Sequence, residues 1–160
     1  MEALTVDKKI IQLVTFRLGD EEYGVDILKV HEINRMMDIT AVPNAPPCIE
    51  GVINLRGKVI PVINLRSKFG LPHKEKDAHS KIVVVDVGTA AGIIVDSVSE
   101  VLRIPSDIVE PPPPMTSGVG SEYIRGVGKL KERLLILLDI ERLLGVSEGE
   151  TTMVKAAAGM

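Results

Sequence analysis

The residues best able to do chemistry in this 160-residue chain are three histidines, one cysteine and two aspartates that close apolar runs. His31, His73 and His79 stand far apart and lack metal-ligand spacing such as His-x-x-x-His, so they encode no metal centre. His73 and His79 fall in a polar stretch and read as solvated. Cys48 follows Pro46-Pro47 with no histidine or asparagine motif near it, and reads as a small half-buried residue. As the only cysteine it makes no intrachain disulfide and no cysteine metal cluster. Asp26 and Asp96 could form a carboxylate pair for acid–base work, but the internal repeat described below aligns Asp26 with Ile94 and not with Asp96. Glycines occur singly, so no glycine-rich loop cradles a phosphate. No catalytic, cofactor or metal residue is named on these grounds, and an interaction module is the leading class. Arg56 then draws notice, as a long cation in the turn of the largely apolar segment 51–65.

That segment reads as two short strands around a polar turn, residues 54–58, with Gly57 available for a positive φ. The second strand, 59–63, is apolar at almost every position, which predicts that both faces are covered. Pro61 has no N–H for a ladder and predicts a sheet edge or a bulge. The segment occurs twice. Gly51 matches Gly126, Leu55 matches Leu130, Val59 matches Leu134 and Asn64 matches Asp139, at a constant offset of 75 (126 − 51). Upstream, Gly24, Val30, Glu32 and Ile33 match Gly92, Val98, Glu100 and Val101 at an offset of 68 (92 − 24). The difference is assigned to an insertion in the proline-rich loop 110–118. Two collinear pairs of this kind imply two copies of one small β unit.

In chain order, residues 1–9 are expected to be a loose arm. Strands are predicted over 10–18 and 23–27, around a hairpin turn at 19–22. Residues 28–35 fit either period, and a strand starting near Val30 is preferred. Residues 65–69 form a one-turn helix stopped by Gly70. The polar stretch 72–80 connects the copies. Strands follow at 81–87, 91–95 and 98–104, then a proline run at 111–114 that stays extended. The second hairpin turns at 131–133, a short helix covers 140–144, and a polar tail over 148–160 closes the chain. The fold expected is all-β: two similar five-stranded barrels with short helices. Their sequence halves span about 10–72 and 80–147 within a domain of 10–147, joined through a shared apolar face.

Composition narrows the function further. The net charge of −3 is mixed in sign and gives no basic stripe for nucleic acid. Residues 1–9 carry both acid and base and do not read as a secretory signal. No apolar run nears the roughly 20 residues of a membrane span. A soluble, cytoplasmic protein is expected. Phe16, Phe69, Tyr23 and Tyr123 are the only aromatics, so the core must be built from Val, Ile and Leu.

Residues 18–30 (Leu-Gly-Asp-Glu-Glu-Tyr-Gly-Val-Asp-Ile-Leu-Lys-Val), 51–65 with its Asn54-Leu55-Arg56-Gly57, and Gly92-Ile93-Ile94-Val95-Asp96 resemble the CheW coupling proteins of bacterial chemotaxis. The resemblance covers about residues 10–147. It implies two five-stranded SH3-like barrels packed around a hydrophobic joint, in agreement with the duplication. It also implies an adaptor without enzymatic activity. Such adaptors link the cytoplasmic tip of a transmembrane chemoreceptor to the regulatory domain of the histidine kinase CheA, so that receptors in an array control autophosphorylation. No cofactor, nucleic acid or direct membrane insertion is implied. Carried over by residue, Glu32, Arg56, Val98 and Val101 match receptor-side positions, and Val30 and Gly51 match positions that support kinase coupling. Val98 and Gly51 have an equal reading as residues that hold the barrel together.

Neighbouring readings remain beside this one. A similar scaffold could serve a chemosensory pathway whose output is not motility. A CheV-like protein adds a receiver domain, for which 160 residues leave no room. A fragment of CheA would lack its own start, whereas this sequence opens on Met1. A small-ligand enzyme on β barrels, a different class, needs a convergent polar pocket.

Overall fold

The structure is a computed structural model that describes residues 9–111 and 123–145. The expected C-terminal tail, the first eight residues of the arm and most of the proline loop lie outside these residues. Among the described residues, eleven strands form two sheets. In chain order the strands are β1 (Ile10–Leu18), β2 (Glu21–Asp26), β3 (Val30–Arg35), β4 (Ile49–Leu55), β5 (Lys58–Asn64), β6 (Lys81–Asp86), β7 (Ala90–Val95), β8 (Ser97–Pro105), β9 (Val109–Glu110), β10 (Ile124–Lys129) and β11 (Leu134–Leu138). Two short helices follow the second hairpin strand of each copy: α1 (Leu65–Lys68) and α2 (Ile140–Leu144). The 3-10 turn Ile27–Lys29 precedes β3, which therefore begins at Val30 as preferred from the sequence.

The strand order is β8-β1-β2-β11-β10-β9 in one sheet and β3-β6-β7-β5-β4 in the other. Neither half of the sequence forms a sheet by itself. The β1–β2 hairpin of the first copy joins β8–β11 of the second, and β6–β7 of the second joins β3–β5 of the first. The halves 10–72 and 80–147 are thus repeats in sequence but interlocked in space.

The register proves the duplication. In one sheet β5 pairs in parallel with β7, placing Val62 opposite Gly92. In the other, β11 pairs in parallel with β2, placing Leu137 opposite Gly24. These are the same pairing, shifted by the two sequence offsets. The bulges repeat too. One falls between Ile49 and Gly51 in β4 and between Ile124 and Gly126 in β10. Another separates Val30 from Glu32 in β3 and Val98 from Glu100 in β8. The sheet that begins with β8 has a sixth strand, the two-residue β9, beyond the five expected. Its counterpart in the first copy shrinks to one bridge, Thr40 to Val52.

Both helices start on a side chain that closes the first turn. Asn64 Oδ1 accepts from the Ser67 amide, and Asp139 Oδ1 accepts from the Arg142 amide. Gly145, at φ 75°, ends α2. Of the two alternatives for Pro61 the edge fails, because β5 lies between β4 and β7, whereas the β4–β5 ladder does carry a bulge, opposite Val62 and Ile63. Pro61 is tolerated because the ladder to β7 begins one residue later, at Val62. On the other side its partner Val52 exchanges hydrogen bonds with Thr40 instead. Val59 departs from expectation: it is exposed, and the covered run starts at Ile60.

Three apolar cores result. The largest unites Phe16, Leu18 and Leu138 of one sheet with Ile63, Val83 and Ile93 of the other, and with Leu65 and Leu143 of the helices. This is the shared joint the sequence predicts. Smaller cores lie on the far side of each sheet, around Ile53, Val62 and Ile82 and around Leu13, Leu135 and Leu137. All four aromatics join one row across the joint: Phe16 stacks on Tyr23 at 5.8 Å, Tyr23 meets Phe69 at 5.6 Å, and Phe69 stacks on Tyr123 at 6.3 Å. Among the described residues, three ion pairs tie one copy to the other. Arg66 of α1 grips Asp96 through Nε and Nη2 at 3.0 and 2.8 Å, and Lys29 meets Glu141 of α2 at 2.9 Å. In these two the first copy supplies the cation, and in the third Arg133 of the second copy meets Glu22 of the first at 2.9 Å.

Candidate interaction surface

The β4–β5 hairpin turns in two residues. Leu55 pairs with Lys58, and both intervening residues have positive φ, 51° at Arg56 and 86° at Gly57. Two left-handed residues define a type I′ turn, whose twist suits a hairpin. Asn54 Oδ1 accepts from the Gly57 amide at 2.8 Å and braces it. The sequence pointed to Gly57 for positive φ but gave no sign that Arg56 shares it. An arginine in this region is costly, because its Cβ crowds its own backbone.

The side chain of Arg56 leaves the turn and donates from Nη2 to Glu32 Oε1 on β3. Glu32 Oε2 accepts from Asn34 Nδ2 at 3.0 Å. Donation from Asn34 first, then from Arg56, holds the Glu32 carboxyl below its ordinary range. Arg56 remains 65% exposed and Glu32 23%, so the pair offers a fixed guanidinium edge to solvent. The structure therefore brings together two of the four receptor-side positions expected from the sequence, and adds Asn34, which sequence reasoning missed.

The other two stand elsewhere. Val98 and Val101 are on β8, at one end of the six-stranded sheet, whereas Glu32 is on β3, at one end of the five-stranded sheet. Val101 is 52% exposed and available for contact. Val98 is half-buried and packs on the joint core, as does Val30, its equivalent in the first copy. Gly51 is buried, and a Cβ there would lie 2.2 Å from the Thr40 carbonyl oxygen. It presents no side chain to any partner.

The second copy carries a like ion pair. Glu100, the equivalent of Glu32, accepts from Arg133 Nη2 at 3.0 Å. The sequence offset matches Arg56 with Lys131, but the cation that pairs comes from Arg133, two residues on. The Glu32–Glu100 alignment was the available signal. Which cation of 131–133 reaches the glutamate depends on the wider turn, closed by Leu130 N–H to Arg133 O at 3.0 Å. Arg133 Nε also meets buried Glu22 at 2.9 Å.

Among the described residues, no group of three or more His, Cys, Asp or Glu is placed to hold a metal ion. No helix among them is long and apolar enough to cross a membrane.

The family model for the CheW-like domain matches residues 12–148. The chain belongs to the CheW-like family. The chemotaxis protein CheW of Klebsiella aerogenes is 43% identical over 138 residues, covering 86% of this chain and 83% of that protein. That of Treponema pallidum is 37% identical over 150 residues, covering 91% and 88%. Among solved structures, the scaffolding protein TtCheW of Thermoanaerobacter tengcongensis superposes with a TM-score of 0.80 at 39% identity. It covers 89% of this chain and 97% of its own. For a CheW-like chain the exposed ion pairs at the two sheet ends and the exposed apolar residues beside them are candidate docking points. These apolar residues are Ile33 and Val59 in the first copy, and Val101 and Leu134, their equivalents, in the second.

Proposed function

We propose that this CheW-like chain is a chemotaxis adaptor that couples chemoreceptors to the histidine kinase CheA and performs no catalysis itself. Receptor tips engage the Glu32–Arg56 edge, with Val101 contributing. The kinase regulatory domain, itself CheW-like, docks end to end through exposed apolar positions such as Val59 and Leu134. A specific interface of this kind covers on the order of 800 Å² per partner. Val30 and Gly51 support kinase binding indirectly, by holding the joint and the β4 bulge. Carrying out this role would place the adaptor at receptor arrays through its partners.

One observation carries the reading of Arg56. A left-handed turn position that glycine or asparagine fills more easily is held by an arginine, whose planar fork suits the carboxylates and carbonyls of a helical receptor tip. Strain retained in this way marks a residue kept for contact.

Calorimetry with a purified receptor cytoplasmic tip and, separately, the CheA regulatory domain tests both limbs. Arg56→Glu should weaken receptor binding by about 1–3 kcal/mol and leave kinase binding in place. Its thermal midpoint should stay within the shift expected for about 0.5 kcal/mol. Undiminished receptor binding by a folded Arg56→Glu protein would displace the receptor surface from this edge. Absence of kinase binding at tens of micromolar would defeat the adaptor reading.

A further inference from the structure

The two copies carry the same cleft, beside the short helix that follows each hairpin, and the described residues fill only one of them. In the first copy Asn64, Arg66, Ile94 and Asp96 form its walls, and the connector between the copies lies across it. The Pro72 carbonyl accepts from Arg66 Nη1 at 2.7 Å, and Lys76 Nζ meets Glu50 at 3.0 Å. About 10 Å³ of space is left. In the second copy the equivalent walls are Asp139, Glu141 and Asp26, with Lys29 and Arg125, and about 350 Å³ is open. A second hollow of about 240 Å³ shares Asp26 and Arg125 and is walled by Ile11, Leu13, Val109 and Leu137.

The charges in the open cleft are unevenly committed. Asp26 accepts from the Leu28 amide, Asp139 from the Arg142 amide, and Glu141 from Lys29. Arg125 pairs with no carboxylate among the described residues. By the offset of 75 it stands where Glu50 stands in the first copy, with the sign reversed. There, an extended peptide places a lysine on the glutamate. The matching occupant here places a carboxylate on the arginine.

We propose that this open cleft binds an extended, carboxylate-bearing peptide segment of a partner protein, laid as the connector is laid in the first copy, with the carboxylate on Arg125. The neighbouring hollow takes an adjacent apolar side chain. This site is separate from the Glu32–Arg56 edge, and its test involves neither receptor nor kinase.

The test is a heteronuclear NMR titration of the isotope-labelled full chain. The probe is a blocked peptide with the sequence of residues 71–77, in which Lys74, Glu75 and Lys76 are replaced by Glu, Lys and Glu. Saturable shifts are expected at the amides of Lys29, Arg125 and Glu141. The peptide of unaltered sequence should bind at least about tenfold more weakly, and Arg125→Glu should reverse that preference. Arg125→Gln, which leaves no charge of either sign, should abolish the discrimination. No saturation at millimolar peptide, shifts centred elsewhere, or the same preference in Arg125→Glu would overturn the proposal. Tighter binding by a chain ended at Gly145 than by the full chain would overturn the partner assignment, by showing that the protein's own last residues compete for the cleft.

Discussion

Replacing Gly51 by alanine separates a kinase-contact role from a structural one. A Cβ at this position would lie 2.2 Å from the Thr40 carbonyl oxygen and 2.8 Å from Ile39 Cγ2. The oxygen belongs to the backbone and cannot turn aside. It accepts from the Val52 amide at 2.8 Å, while the Thr40 amide donates back to Val52 at 2.9 Å. Making room breaks this bridge, two hydrogen bonds at about 0.5–1.5 kcal/mol each. The backbone at φ 156° adds about 1–3 kcal/mol for any residue with a Cβ. The sum, about 2–6 kcal/mol, is a large part of an ordinary domain's stability. Gly126 is the internal control, in the same bulge of the other copy. Its Cβ would meet Val109 Cγ1 at 2.8 Å and the Glu110 oxygen at 2.9 Å, without a positive φ, so Gly126→Ala should cost less. Denaturant unfolding of both variants supplies the numbers, and calorimetry with the kinase domain at low temperature supplies the function. If Gly51→Ala lies within about 0.5 kcal/mol of the parent, the close approach to Thr40 is not real. If it stays stable and yet loses the kinase, Gly51 lies in the interface and the steric argument fails.

Arg56→Asn should raise stability by about 0.5–1 kcal/mol, because asparagine tolerates the left-handed turn that arginine resists; denaturant unfolding reads this, and a loss of stability would mean that φ 51° is no burden. Asp96→Asn should cost about 1–3 kcal/mol near neutral pH by removing charge-assisted hydrogen bonds to Arg66, whose side chain is 16% exposed. The Arg66 guanidinium holds the Asp96 carboxyl below its ordinary value against some desolvation, with the Gly19 amide assisting. A carboxylate depressed in this way stabilises the fold above its unfolded pKa, about 3.9, and the contribution is lost as pH falls through the lower folded value. The gap between parent and Asp96→Asn should therefore close on acidification below pH of about 4; an unchanged gap there would assign the cost to packing.

The local structure was legible in the residues themselves. Apolar runs broken by the turns at 19–22, 54–58 and 131–133 placed hairpins, and Gly70 marked the stop of the first short helix. The matched glycines and valines exposed the duplication. Each of these features depends on residues near in sequence, or on two copies of one pattern read side by side. Family membership was equally legible, in the segments 18–30 and 51–65.

The exchange of strands between the copies was not. Because the copies are alike, β2 and β7 present the same pattern to β5 and β11, and local preference is satisfied by either pairing. Only the packed molecule decides that Val62 faces Gly92 and Leu137 faces Gly24. The cross-copy ion pairs, Arg66 with Asp96, Lys29 with Glu141 and Arg133 with Glu22, form only in this arrangement. The same dependence on distant backbone hid the pairing of two residues that the resemblance named separately. Glu32 and Arg56 are 24 residues apart, and whether a turn cation reaches a strand glutamate depends on the width of the turn and the place of the edge strand. For that reason Arg133 serves Glu100 where sequence alignment points to Lys131. Sequence periodicity determines which residues can share a face; the tertiary fold alone decides which faces meet, since that choice rests on contacts between segments that carry no record of one another.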